Sequence, residues 1–218
     1  MSNKYEEGVA FILEGDTEKE FYLSLLEFLC KKHDGILERQ LDCSNSPDII
    51  YTLKTPSRHL LIKFNTVNTV TQMPHSSRWF ISQCKNKHRD VGSWIVFLCY
   101  DLDNYKNDIT KFYEGDWVNL RTSLKKKAKA VHDIAAAADI EDIILSDIEG
   151  ISRFLGSPNT MALPTGSKGK AKLKKLFRQA NRTYHEGKRA RTLIDSLDMQ
   201  KIMDTSLAPL TMIESVIF

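Results

Sequence analysis

Val9-Ala10-Phe11-Ile12-Leu13-Glu14-Gly15-Asp16-Thr17-Glu18 is the segment that decides the fold. Its first five residues are apolar and form a short continuous run, which predicts a strand buried on both faces of a sheet. Glu14 then stands where the strand should end, and Gly15 permits an abrupt turn. Thr17 and Glu20 have the spacing of a capping box, which predicts that a helix begins here.

The residues after the turn have the periodicity of an amphipathic helix, with Phe21, Leu25, Phe28 and Leu29 along one face. A strand, an acidic residue, a tight turn and a capped helix make up the first β-α unit of an open α/β sheet. Ligands of such sheets bind outside the carboxyl ends of the strands, which is where Glu14 falls. We therefore expect an open, mostly parallel sheet that is flanked by helices.

The composition is that of an ordinary globular protein, and 218 residues are enough for a substantial core. No apolar run approaches the roughly 20 residues that cross a bilayer, and residues 1–7 are polar and acidic rather than a secretory signal. The cysteines are scattered without a CxxC pair, and the histidines are equally dispersed, which disfavours a zinc cage. We expect a cytoplasmic protein with reduced thiols and no membrane association.

The positive charge is concentrated near the C-terminus. Residues 165–191 contain ten Lys or Arg and a single acid, Glu186, whereas the net charge of the whole chain is only +3. The rest of the chain is therefore net acidic. Lys170 to Tyr184 has the pattern of a basic amphipathic helix. We expect an α/β domain over residues 1–156 and a basic helical extension over residues 157–218 that packs on it.

A second buried strand also ends in carboxylates. Trp94 to Tyr100 is a continuous run rich in aromatic and β-branched residues, and Asp101-Leu102-Asp103 follows it directly. Equivalent ends of neighbouring parallel strands lie about 5 Å apart, so Glu14, Asp101 and Asp103 would converge if their strands are adjacent.

The remaining elements are less strongly marked. Residues 36–43 are compatible with a second strand, and residues 77–87 with a helix. The short apolar runs over residues 49–53 and 60–64 can be either a helix and a strand or two strands. The pattern predicts a long helix over residues 116–138 and a third short strand over residues 140–145. That strand would run into Asp147 and Glu149.

Three carboxylates held together repel one another unless a cation relieves them. Oxygen ligands without Cys or His suit Mg²⁺ or Mn²⁺, and such ions support phosphodiester hydrolysis. Simpler interpretations stay open at this point. Asp-x-Asp can be a turn and a cap, Glu14 can offset the dipole of the helix, and the basic segment can be a solvated helix face.

Two of these motifs resemble those of the TOPRIM family. Phe-Ile-Leu-Glu-Gly-Asp-Thr-Glu-Lys-Glu-Phe (residues 11–21) is similar to its first motif, and Tyr-Asp-Leu-Asp-Asn (residues 100–104) to its Asp-x-Asp motif. The closest similarity is to small stand-alone TOPRIM proteins of the OLD/RloB-like kind, which are associated with bacterial anti-phage defence. Those proteins also carry a third acidic segment, loosely matched by residues 146–150, and a Lys-rich helix followed by Tyr-x-x-Gly, as at Tyr184 to Gly187.

The resemblance implies a TOPRIM-like fold and a nuclease that depends on Mg²⁺ or Mn²⁺. It implies Glu14, Asp101 and Asp103 as catalytic metal ligands, Glu149 as a further ligand and Glu18 as a residue behind them. Lys168 or Lys170 would stabilise the phosphate in the transition state. The predicted nucleic-acid-binding residues are the cations of the C-terminal segment: Lys168, Lys170, Lys172, Lys175, Arg178 and Arg182.

The function therefore has two candidates. The first is a metal-dependent nuclease that acts on DNA or RNA. The second is a non-catalytic TOPRIM-like subunit that docks on an ABC-type ATPase partner through the apolar tail over residues 207–218. A homo-oligomer is compatible with either. A dinucleotide-binding enzyme is disfavoured because no G-x-G-x-x-G follows the first strand.

Overall fold

A computed structural model describes residues 4–42, 48–68, 70–102, 114–166 and 168–218. They form an α/β structure around one six-stranded sheet with the strand order β2-β3-β4-β1-β5-β6. The strands are β1 (Tyr5–Leu13), β2 (Ile36–Asp42), β3 (Asp48–Lys54), β4 (His59–Thr66), β5 (Val91–Asp101) and β6 (Ala130–Ala136). The predicted open, mostly parallel sheet flanked by helices is confirmed.

Nine α-helices are present in the described residues: α1 (Asp16–Lys32), α2 (Ser76–Trp79), α3 (Glu114–Lys125), α4 (Ile140–Ile144), α5 (Ile148–Leu155), α6 (Gly169–Gln179), α7 (Arg191–Ile194), α8 (Met199–Thr205) and α9 (Thr211–Ile217). A π-helix (Phe80–Asn86) continues α2. Short 3-10 segments cover Val70–His75, Leu145–Asp147 and Gly187–Ala190. In the described part of the chain, every helix is too short or too polar to span a bilayer.

The middle of the sheet is parallel. β1 pairs in parallel with β4 on one side and β5 on the other, and β5 pairs in parallel with β6. The β2-β3 hairpin adds the antiparallel edge beyond β4, so the segments left open in the sequence are both strands. Residues 9–13 of β1 are completely buried, as a strand with a sheet neighbour on each side and helices on both faces must be.

Successive residues of β1 face opposite sides of the sheet and belong to two hydrophobic clusters. Val9, Phe11 and Leu13 pack with α1 and the C-terminal helices. Ala10 and Ile12 pack with the π-helix and α3 on the other face. The connections that follow β1 and β5 therefore lie on opposite faces, which opens a crevice at the carboxyl ends of these two strands.

The C-terminal helices share the core of α1 rather than forming a core of their own. Leu173 and Leu176 of α6 and Ile213 and Ile217 of α9 are fully buried in the same cluster as the α1 side chains. Arg58 of the β3-β4 turn fixes α9 in place, because its guanidinium donates to the carbonyls of Val216 and Ile217 (2.8 Å each). The apolar tail is thus part of the core.

Two predictions about the segment after β5 were wrong. The predicted helix over residues 116–138 ends at Lys125, and residues 130–136 form β6 instead. Its alanines favour a helix locally, but pairing with β5 over seven residues prevails. The predicted strand over residues 140–145 is helix α4, which begins at the cap residue Asp139.

The predicted capping box was wrong as well. Gly15 is the N-cap of α1 and makes no side-chain cap hydrogen bond. The Thr17 hydroxyl instead accepts a hydrogen bond from the backbone N–H of Gly187 (2.8 Å). This contact attaches the segment after α6 to the first turn of α1.

Candidate metal centre

Three carboxylates converge in the crevice between β1 and β5. Glu14 follows the last residue of β1, Glu18 lies in the first turn of α1, and Asp101 is the last residue of β5. Each offers an oxygen atom, and these oxygens all lie within 4.8 Å of one another. The register explains the approach of Glu14 to Asp101, because Leu13 of β1 lies opposite Cys99 of β5.

The position of Glu18 follows from the turn that joins β1 to α1. The chain reverses at Gly15, so a residue one helical turn beyond Glu14 returns to the same edge of the sheet. The Glu18 side chain is buried, with 7% of the residue exposed. The resemblance implied a position for Glu18 behind the metal ligands, whereas its oxygen lies beside those of Glu14 and Asp101. The four-residue spacing from Glu14 is the signal that indicates this.

The electrostatics of the three carboxylates oppose their joint ionisation. Burial raises the pKa of Asp101 to about 9, and the negative charges of Glu18 and Glu14 contribute. Burial likewise raises the pKa of Glu18 to about 7, again with a contribution from Glu14. A cation among the three oxygens would lower both pKa values again. It would attract each carboxylate, and it would replace the solvation that burial removes.

A cavity of about 420 Å³ contains these carboxylates, and a second acidic pair, Asp139 and Glu141, also lines it. Asp139 caps α4 and also accepts a hydrogen bond from the backbone N–H of Lys170 (3.1 Å). Glu141 accepts a hydrogen bond from the Tyr184 hydroxyl (3.0 Å), and burial raises its pKa to about 7. Both residues follow β6, as Asp101 ends β5.

Two lysines line the same cavity from the start of α6. Lys168 is the N-cap residue and is exposed, and Lys170 forms an ion pair with Glu186 (2.5 Å). Gly169 between them packs so closely on α4 that a Cβ there would lie 2.2 Å from the backbone nitrogen of Asp142. This contact fixes the start of α6, and with it both lysines, against the acidic wall.

The structure does not bring Glu149 to this centre. Glu149 is exposed on α5, where its carboxylate accepts from Lys201 (2.6 Å). Asp147 caps α5 and accepts from the backbone N–H of Asp198 (2.9 Å), so it has a structural role. Asp139 and Glu141 lie where the third acidic segment was expected. The prediction for Asp103 falls outside the described residues.

Most of the predicted nucleic-acid-binding cations already have partners within the chain. Lys172 pairs with Asp142 (3.1 Å), and Lys175 donates to the carbonyl of Thr165 (2.9 Å). Arg182 donates to the carbonyl of Phe154 (2.7 Å) and lies over its ring. Arg178 is exposed on the outer face of α6. The contacts of Lys172 and Arg182 therefore hold the basic extension against α4 and α5.

Comparison with models of protein families finds no match to this sequence, and no curated protein matches it. The chemistry of the site therefore has to be inferred from its own geometry. A cluster of oxygen donors at the carboxyl edge of a parallel sheet, in a cavity that two lysines also line, is suited to a divalent cation and a phosphate-bearing ligand.

Proposed function

We propose that this chain is a divalent-metal-dependent nuclease that hydrolyses phosphodiester bonds in nucleic acid, as its resemblance to small TOPRIM proteins of phage defence implies. The observation that carries the proposal is the convergence of the Glu14, Glu18 and Asp101 oxygens within 4.8 Å. The raised pKa values of Glu18 and Asp101 add support, because such perturbations concentrate at functional sites.

Glu14, Glu18 and Asp101 would hold Mg²⁺ or Mn²⁺, and all three donors are oxygens, which fits these ions. Such an ion, when bound, supplies an activated water and stabilises the leaving oxygen. The role of the chain's own residues is to position the substrate. Lys168 and Lys170 line the same cavity and place positive charge there, where it can stabilise the phosphate as negative charge develops.

Glu141 is positioned to assist proton transfer. Its pKa of about 7 lets it exchange a proton near neutral pH, and the Tyr184 hydroxyl orients one of its oxygens. Because Glu141 lines the same cavity as the three proposed ligands, it can accept a proton from a water or donate one to a leaving group there.

The alternative of a non-catalytic subunit that docks on an ABC-type ATPase gains no support from the tail. Its interface was expected on residues 207–218, yet Leu210, Ile213 and Ile217 are fully buried against the chain's own core. Leu207 is the exposed apolar residue of this segment, at 89%. Docking through the tail would require α9 to leave the core.

The decisive experiment compares Asp101→Asn with wild type in a cleavage assay on labelled DNA and RNA with Mg²⁺ or Mn²⁺. We expect cleavage to fall by at least 100-fold, about 2.7 kcal/mol of transition-state stabilisation, while oligonucleotide affinity in EDTA is retained. Glu149→Gln is the matched control, because it removes a carboxylate outside the cluster, and it should cleave like wild type. Equal cleavage by Asp101→Asn and wild type would refute the proposal.

A further inference from the structure

A second cavity, distinct from the acidic one, lies on the other side of the first turn of α1. It has a volume of about 380 Å³ and is enclosed by α1, by the β2-β3 hairpin and by the segment that leads into α7. Its floor is apolar and is formed by Leu23, Leu37, Ile49 and Tyr51. Its rim is basic and carries Lys19, Arg39, Lys188 and Arg191.

The charges of this rim are unbalanced. Arg191 is neutralised within the chain, because it pairs with Glu20 (3.5 Å), with Glu27 and with Asp195 (2.7 Å). Four cations and two acids, Glu20 and Glu27, line the cavity, so its lining carries a net charge of +2. Lys19, Arg39 and Lys188 form no ion pair with any residue that the structure describes. The cavity therefore has a net positive lining around an apolar floor.

The two cavities adjoin along the chain. Residues 15–18 of the first turn line the acidic cavity, and Lys19 and Leu23 line the basic one. Gly187 lines the first cavity and its neighbour Lys188 the second. From Glu18 to Leu23 the axis of α1 advances about 7 Å, which is comparable to the length of about two nucleotides of a stacked strand.

We propose that the basic cavity binds the nucleotides of a single-stranded nucleic acid that flank the bond placed in the acidic cavity. The apolar floor, which includes Tyr51, can receive an unstacked base, whereas the bases of a duplex are paired and stacked away from such a floor. Lys19, Arg39 and Lys188 can contact the adjoining phosphates. This inference rests on the proposed nuclease function, since it assigns the substrate strand of that site.

The test measures binding without cleavage, by fluorescence anisotropy in EDTA with a labelled single-stranded oligonucleotide of mixed sequence, as DNA and as RNA. The variant is Lys19→Ala/Arg39→Ala/Lys188→Ala. We expect its affinity to fall at least tenfold. For a single strand the salt slope changes by about 0.7 per phosphate contact, so losing three contacts should reduce it by about 2.

The matched control is Arg89→Ala/Lys125→Ala/Lys126→Ala, which removes the same number of positive charges. These residues precede the amino ends of β5 and β6, whereas the acidic cavity lies at the carboxyl ends of the parallel strands. All three control side chains are exposed. We expect the control to bind within twofold of wild type, and both triple variants to melt within a few degrees of it. A fully paired duplex of the same sequence should bind more weakly than the single strand and lose less affinity in the cavity variant.

The inference is overturned if the cavity variant binds like wild type, if both triple variants lose affinity equally, or if duplex and single strand respond alike. These outcomes are separable from those of the cleavage assay. Loss of binding with no effect of Asp101→Asn on cleavage would support the strand site and reject the metal-dependent hydrolysis. Unchanged binding with loss of cleavage in Asp101→Asn would do the reverse.

Discussion

Replacing Glu18 with glutamine should stabilise the metal-free protein above neutral pH and remove its stabilisation by Mg²⁺. Glu18 is buried beside Glu14, and its pKa rises from 4.5 to about 7. The folded protein therefore keeps Glu18 protonated at pH values where the unfolded chain has already released this proton. Stability falls as the pH rises from about 4.5 and levels off above about 7.

The magnitude follows from the same shift. At about 1.4 kcal/mol per pKa unit, ionised Glu18 costs the metal-free fold roughly 3 kcal/mol above pH 7. Glutamine resembles the protonated acid and avoids this cost. For a chain of this length roughly 2–4 °C of melting temperature corresponds to each kcal/mol, so the variant should melt about 6–12 °C higher than wild type in EDTA near pH 8.

Mg²⁺ should remove most of this difference. An ion at about 100 times its dissociation constant stabilises the wild type by about 2.7 kcal/mol, and the variant, with one proposed ligand neutralised, should gain far less. Thermal unfolding in EDTA and in excess Mg²⁺, at about pH 5 and about pH 8, measures both effects. Glu149→Gln should follow the wild type throughout. Equal stabilisation of Glu18→Gln and wild type by Mg²⁺ would refute this reasoning.

Two further perturbations test the electrostatics and the packing of the site. Burial raises the pKa of Asp101 to about 9, so Mg²⁺ binding near pH 7.5 should release about one proton. Isothermal titration calorimetry in buffers of different ionisation enthalpy measures this release. A heat of Mg²⁺ binding that is the same in all these buffers would contradict the prediction. Gly169→Ala should destabilise the fold by about 1–3 kcal/mol, because the new methyl group would overlap the backbone of α4. Gly115→Ala, whose Cβ meets no atom within 4 Å, is the control in denaturant unfolding and should be neutral or slightly stabilising.

The central strands were predictable because their signal is local. β1 and β5 are continuous apolar runs, and such runs indicate burial on both faces whatever surrounds them. Their terminal carboxylates, Glu14 and Asp101, could therefore be assigned to one edge of a parallel sheet from the sequence alone. The structure places the oxygens of these two residues together, as that assignment requires.

The edge strand β6 was not predictable in the same way. Its residues are small and mixed, and only Ile134 and Ala136 are buried in it. What makes it a strand is the hydrogen-bonded pairing with β5, which joins residues that are 35 apart in the chain. Because the sequence pattern did not predict β6, the third acidic segment was assigned to residues around Glu149. The acids that follow β6 are Asp139 and Glu141, and both line the acidic cavity.

The contact of Thr17 with Gly187 was hidden for a related reason. Thr17 and Glu20 have the spacing of a local cap, but the partner of Thr17 comes from a segment 170 residues away. Gly187 has a positive φ of 65°, a conformation that glycine adopts without strain. This distant partner places Glu186 and Lys188 on either side of the first turn of α1, next to the two cavities.

The acidic cavity is where local chemistry and fold stability conflict. Glu14, Glu18, Asp101, Asp139 and Glu141 line one space, and burial raises the pKa of Glu18, Asp101, Asp139 and Glu141. Asp139 is needed by the fold as the cap of α4, and Glu141 is bound by Tyr184. Ionisation of Glu18 and Asp101 destabilises the metal-free protein at pH values above the pKa values of these groups in the unfolded chain. Such conflicts are typical of sites where a ligand provides counter-charge, and the proposed divalent cation would provide it here with the fewest additional atoms.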